Sequence, residues 1–296
     1  MTWFKHLRGG LKHILFNAAE GLWSCGYAFL GRVARYRHAP PAIIQFSGRD
    51  RVLIVAPHPD DETLGAGGTA LLHRRSGDEV TIAVLTDGRS SRAGARSAEA
   101  MVAQRREEIQ RAARRLDCRL YHLNLPEDAW EITAAAGTLQ PLVEPATVIY
   151  TPSCIDFHPE HLKSARVIAG LVRPEQTVRI MELGVPLTAQ LVNRIADTGT
   201  VQALKQAVLS EFTSQQGAIF ALERIARYRA AYYRRAAVEV FWEINGAAFT
   251  RMMQAGDRRG NSGSPFRGIR PRPFSDPLAA WTGNKIRRRL KQSAGE

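Results

Sequence analysis

The apolar run Val52-Leu53-Ile54-Val55-Ala56 breaks off into His58-Pro59-Asp60-Asp61-Glu62, and that junction narrows what the chain can become. The run is short, apolar throughout and rich in β-branched residues, which is the pattern of a strand buried on both faces. The junction puts a histidine and three carboxylates where that buried strand should end. They belong at its C-terminal end, where a helix starts and where an open α/β sheet keeps its ligand crevice. A cluster this acidic attracts a divalent cation and repels anions.

The rest of the chain repeats the alternation. Strands are expected at 51–56, 80–86, 120–125, 147–151 and 178–183. Helices are expected at 64–75, 97–116, 139–143 and 161–172, with two more at 201–212 and 222–241. Alternation of this kind predicts an α/β, Rossmann-like fold: a mostly parallel sheet in the order 3-2-1-4-5 with helices on both faces. In that order the first and fourth strands are neighbours, and the crevice opens between their C-terminal ends.

The fourth strand is followed by a second cluster, Asp156-Phe157-His158-Pro159-Glu160-His161. Pro159 suits the first position of a helix, where its missing N–H costs nothing. His158 and His161, three apart, can face one side of that helix start, as His58 and Asp61 can on their own turn. The topology therefore brings the two clusters to one point. Together they offer the imidazoles and carboxylates of an open-faced catalytic zinc site. Gly65-Ala66-Gly67-Gly68 is not read as a dinucleotide loop, because the carboxylates before it would repel a pyrophosphate. These glycines instead let the first helix lie close on the sheet.

The net charge of +13 suggests nucleic acid until it is mapped. Residues 1–50 carry +5, residues 257–296 carry +7, and 51–256 only +1. The central domain is nearly neutral, so nucleic acid is not the expected partner and the question of a basic contact belongs to the ends. Three domains of organisation follow: a basic amphipathic extension over 1–50, a catalytic domain over 51–250, and a basic Gly/Pro/Arg-rich tail over 251–296.

In the extension, Phe4, Leu7, Leu11, Ile14, Leu15, Ala18, Leu22, Cys25 and Phe29 recur at helical spacing, with Lys5, Arg8, Lys12 and His13 off that stripe. Such a helix either packs its stripe on the domain or lies in a membrane interface. Asn17 and Glu20 interrupt it as an export signal. Its uncharged run, 21–31, is shorter than the ~20 residues of a membrane span. The tail ends in Lys285, Arg287, Arg288, Arg289 and Lys291, either a solvated terminus or a contact for anionic lipid. Cys25, Cys118 and Cys154 are odd in number and scattered, which points to a reducing, cytoplasmic setting rather than a disulfide framework.

Ala56-Pro57-His58-Pro59-Asp60-Asp61-Glu62 with His158-Pro159-Glu160-His161 resembles the PIG-L/LmbE-like family of zinc-dependent de-N-acetylases. That family includes the N-acetylglucosaminyl-phosphatidylinositol deacetylases and the deacetylases of mycothiol and bacillithiol biosynthesis. The resemblance spans about 51–245 and takes in Thr86-Asp87-Gly88, the helix over 105–116, Ser214-Gln215 and the stretch 228–241. It implies one zinc per chain on His58, Asp61 and His161, Asp60 as general base, and His158 as the residue that stabilises the oxyanion or protonates the leaving amine. It implies a small-molecule or glycan substrate bearing an N-acetyl group. The family's second motif usually reads His-Pro-Asp-His, so Glu160 is a departure that keeps the charge and lengthens the arm. From the residues alone, a metal-dependent hydrolase of another amide or a phosphoester also remains open, as does a non-catalytic module binding membrane or polyanion through its tails.

Overall fold

The computed structural model describes residues 22, 25, 26, 29, 40–91, 97–152, 156, 158–183, 187, 191–257 and 291–295. Its strands are β1 (Ala42–Ile43), β2 (Arg51–Ala56), β3 (Glu79–Thr86), β4 (Arg119–Leu125), β5 (Val148–Thr151), β6 (Thr177–Met181), β7 (Arg194–Asp197) and β8 (Val238–Asn245). The helices are α1 (Asp61–Ser76), α2 (Ala98–Leu116), α3 (Ile132–Val143), α4 (Pro159–Leu171), α5 (Gln202–Leu209), α6 (Gln216–Tyr233) and α7 (Gly246–Asp257).

One sheet of eight strands runs β1-β7-β8-β6-β5-β2-β3-β4. The five strands expected from sequence occupy the expected order, and three more extend the sheet beyond the fifth. β2 pairs in parallel with both β3 and β5, with Val52 opposite Val80 on one side and Val148 on the other. The added edge departs from the parallel pattern, because β8 runs antiparallel to both β6 and β7. The helix expected over 222–241 is thus a correction. α6 ends at Arg234, which takes the left-handed φ of 58°, and the alternating Val238-Glu239-Val240-Phe241-Trp242 becomes a strand. Residues on both sides of 51–250 join the same sheet and core. Ala42 pairs with Arg194, and Ala294 is buried in the core with its carbonyl accepting from Arg251.

Strand pleating sorts the core into two layers. Leu53 and Val55 face α3, α4 and α7, while Val52, Ile54 and Ala56 face α1, α2 and α5. Within α1 the helix kinks at Ala66, whose φ of −148° is not helical. The kink frees amides that an uninterrupted helix would satisfy. Glu239 of β8 takes them, accepting from the Gly68 N–H at 2.8 Å and the Thr69 N–H at 2.7 Å. Buried Lys205 pairs with Glu239 at 2.9 Å and donates to the Leu64 carbonyl at 3.2 Å. A Cβ on Gly65 would lie 2.9 Å from the Met181 sulfur, and one on Gly68 2.7 Å from Thr198 Cγ2. The glycine run is there for this close approach.

A second buried polar chain lies under the N-terminal ends of the strands. His73 meets Asp78 at 2.6 Å and the Tyr150 hydroxyl at 2.9 Å, and Tyr150 accepts from Arg179 at 2.6 Å. Leu22, Cys25, Gly26 and Phe29 are helical; Leu22 is 76% and Phe29 64% exposed, so these members of the apolar stripe do not pack on the domain. The rest of that stripe, Cys154, and the tail over 258–290 lie outside the described residues. Among the described residues no helix is long and apolar enough to cross a membrane.

Candidate metal centre and active site

The site forms where β2 and β5 end. Pro57 turns the chain out of β2, and its carbonyl accepts both the Thr86 N–H (3.0 Å) and hydroxyl (2.9 Å), locking this turn to the end of β3. Asp60 then takes φ 141°, a conformation that L side chains rarely adopt and that persists only when its surroundings enforce it. They do so from three sides. The Glu62 carboxylate accepts the Asp60 N–H at 3.0 Å, the Asp60 carbonyl accepts the Leu64 N–H at 2.9 Å, and Arg105 donates to the Pro59 carbonyl at 2.7 Å and to Asp60 Oδ1 at 3.3 Å.

On the other wall His158 caps α4. Its Nδ1 accepts the Glu160 N–H at 3.3 Å, and Pro159 opens the helix. The next turn brings His161 inward.

The structure unites every site residue expected from sequence. Asp61 Oδ2 lies 3.0 Å from His58 Nδ1 and 3.2 Å from His161 Nε2. The far ring nitrogens meet carboxylates in turn: His161 Nδ1 faces Asp156 at 2.7 Å and His58 Nε2 faces Glu127 at 3.2 Å. The His158 ring stands 4.7 Å from that of His58 and 5.0 Å from that of His161, centroid to centroid. Ligand atoms of these three imidazoles fall within 4.8 Å of one another.

The electrostatics are those of a cation site. Burial alone would depress both imidazoles, yet Asp61 and Glu127 carry His58 up to about 9, and Asp156 and Asp61 carry His161 well above its ordinary value. Burial would raise the Asp61 carboxyl, yet His161 and His58 hold it well below the usual carboxylate range. His158 goes the other way, down to about 4, through burial and the neighbouring imidazoles. Positive charge is therefore favoured between Asp61, His58 and His161 and disfavoured at His158. Atoms around a tetrahedral zinc at ordinary bond lengths are about 3.3 Å apart, so the spacing about Asp61 Oδ2 fits that ion.

The sequence assigns Glu127 and Arg105 no role, and names Asp156 only as a member of the second cluster. Arg105 left a legible trace: with Met101, Ile109, Ala112 and Leu116 it lies on the buried face of α2, an arginine on an apolar stripe. Its neighbour Glu108, on that same face, holds the Ser214 N–H at 2.9 Å and hydroxyl at 2.7 Å. Glu127 carries only a topological trace, as the first carboxylate beyond β4.

The α/β fold is shared with solved deacetylases. The N,N'-diacetylchitobiose deacetylase of Pyrococcus horikoshii superposes with a TM-score of 0.56 at 20% identity, over 67% of this chain and 84% of that one. The A40926 pseudoaglycone deacetylase Dbv21 gives 0.53 at 17%, over 67% and 99%. GalB, the 4-carboxy-2-hydroxymuconate hydratase of Pseudomonas putida KT2440, gives 0.56 at 18%, over 66% and 96%. A hydratase among them means that the fold alone does not select the reaction. Residues 53–171 match the family described as PIG-L: GlcNAc-PI de-N-acetylase, and the chain carries a PIG-L family domain there. No curated protein sequence matches the chain.

Proposed function

We propose that this protein is a zinc-dependent hydrolase that removes an N-acetyl group from an amino sugar or glycoconjugate. The observation that carries the reading is Asp61 Oδ2 set between His58 Nδ1 and His161 Nε2, each histidine backed by a carboxylate on its far nitrogen. Backing of that kind orients metal-binding imidazoles. His58, Asp61 and His161 hold the metal. The three-imidazole set is less apt, because Asp61 touches both other ligands while the His158 ring is engaged by the Glu160 amide. Zinc held by three protein ligands supplies a Lewis acid for the amide carbonyl and an acidified water.

The chain's own groups do the proton work. Asp60, fixed by Arg105 through Oδ1, takes the proton of the attacking water. His158 accepts a backbone N–H at Nδ1, so its neutral ring carries the proton at Nε2. From there it donates a hydrogen bond to the developing oxyanion, while the amine, which leaves poorly unless protonated, takes the proton that Asp60 removed from the water.

The test is zinc content together with amine release from a panel of N-acetylglucosamine-containing compounds, wild type beside His161→Ala. About one zinc per chain, lost in the variant along with amine release, supports the reading. Absence of metal from the purified wild type, after zinc is supplied, sinks it. Asp60→Asn is expected to keep zinc and to lose roughly a hundredfold or more in kcat; near-normal turnover rules out Asp60 as the base.

We further propose that the exposed stripe of Leu22, Cys25 and Phe29, with the basic ends, meets an anionic membrane surface from a cytoplasmic, reducing side. Co-sedimentation with phosphatidylserine vesicles, but not with neutral ones, is the expected outcome. Equal behaviour with both removes this part of the reading.

A further inference from the structure

Glu160, the departure from the family motif, does not face the metal. It is buried, and its Oε2 accepts the indole N–H of Trp130. Trp130 is itself buried and closes the rim loop over 126–131. One turn further along α4, Lys163 donates to the Trp130 carbonyl and lies 4.3 Å from the centre of its ring. The same loop carries Glu127, which touches His58 and accepts the Ser90 N–H at 2.9 Å, and Asp128, which accepts from the Ser90 hydroxyl at 3.3 Å. Its backbone is pinned to Asp87, whose carboxylate accepts the Glu127 N–H at 3.2 Å. Three walls of the crevice, from β2, β3 and α4, therefore meet on one short loop. On α4 the loop is held by Glu160 and Lys163.

We propose that Glu160 and Lys163 form a latch on Trp130 that sets the rim loop against the metal centre and so determines which N-acetylated substrates enter the crevice. The long arm of glutamate is the device. An aspartate at 160 ends one methylene, about 1.5 Å, short of the indole N–H. It would release the loop. Glu160 is thus a positioning residue that acts through Trp130. The kinetic half of this proposal rests on the deacetylase reading; the structural half stands without it.

The experiment compares E160D, E160Q and W130F with wild type in the zinc-loaded full chain. Glutamine keeps an oxygen that can accept the indole N–H, and phenylalanine keeps the ring but removes the donor. Hydrogen exchange of the 127–131 amides is expected to rise about tenfold in E160D and W130F and to stay near wild type in E160Q. Amine release should show KM raised about tenfold in the same two variants, with kcat within about threefold and zinc still one per chain. E160D/W130F should be no worse than either alone, since both break one contact. Unchanged exchange in both single variants overturns the latch, as does an additive double variant. If wild type releases no amine, the deacetylase reading has failed, and the exchange comparison still decides the latch. If E160D does not fold, W130F against E160Q carries the same comparison.

Discussion

The carboxylates behind the two histidines proposed as metal ligands give the sharpest quantitative expectation. Asp156 is 5% exposed and stands 2.7 Å from His161; Glu127 reaches His58 from a loop at 3.2 Å. Both interactions fix a ring and make it a better donor, and loss of such a partner costs about 10- to 100-fold in metal affinity. Asp156 is the closer and more deeply buried, where the effective dielectric is lower, so Asp156→Ala belongs near the upper bound, about 100-fold or ~2.7 kcal/mol. Glu127→Ala belongs near the lower, about 10-fold or ~1.4 kcal/mol. The two carboxylates brace different histidines, so the double variant should lose about a thousandfold. Asp156→Asn, which keeps an acceptor oxygen without the charge, should fall between Asp156→Ala and wild type. Zinc competition against a chromophoric chelator measures all four. If both alanine variants bind zinc within about twofold of wild type, these carboxylates do not brace metal ligands and the assignment of His58 and His161 loses its main support.

Glu239→Gln removes the 2.9 Å partner of buried Lys205 and leaves it only Glu223 at 3.9 Å, which should cost about 3 kcal/mol in denaturant unfolding, with Lys205→Met added to it recovering most of the loss. Arg105→Met frees Asp60 Oδ1 and should lower kcat about 10- to 100-fold with zinc content intact; a parallel loss of zinc would place Arg105 in the metal site instead. Gly88→Ala should mimic it more weakly, because φ is +67° and the new Cβ would lie 2.3 Å from Arg105 Nε. Burial lowers the pKa of His73 despite Asp78. The unfolded chain therefore gains a proton first, and this group's contribution, whole above pH 6.5, is lost as pH falls below it, by at most about 1.4 kcal/mol per pH unit. His73→Gln should flatten that slope relative to wild type; identical slopes refute the assignment.

Much of the fold was legible because its signals are local. The run from Val52 to Ala56 announces a strand by composition alone, and the four strands paired around and beyond it do the same. Their order then follows from a rule about crossover handedness and switch points that needs no side-chain detail. The antiparallel edge was not legible. Val238 to Asn245 follows a helix with little punctuation, and only Arg234 in the left-handed region marks the break. β1 and β7, with 2 and 4 residues, are too short to impose a period.

The same division runs through the site. His58, Asp60, Asp61, His158 and His161 stand at strand ends in two compact motifs, so chemistry and spacing named them together. Their partners come from elsewhere: Arg105 lies 45 positions from Asp60, and Trp130 lies 30 from Glu160. A hydrogen bond across such a gap leaves no periodic mark, since the chain between can take any length that closes the loop at little entropic cost. The sequence by itself determined which groups could bind a cation and at which end of the sheet they would gather. Only the packed structure decided which nitrogen of each histidine faces Asp61, what braces it from behind, and that Glu160 serves the rim loop rather than the metal. Those choices depend on distances of a few ångströms between segments that meet only after the sheet and its helices have closed around them.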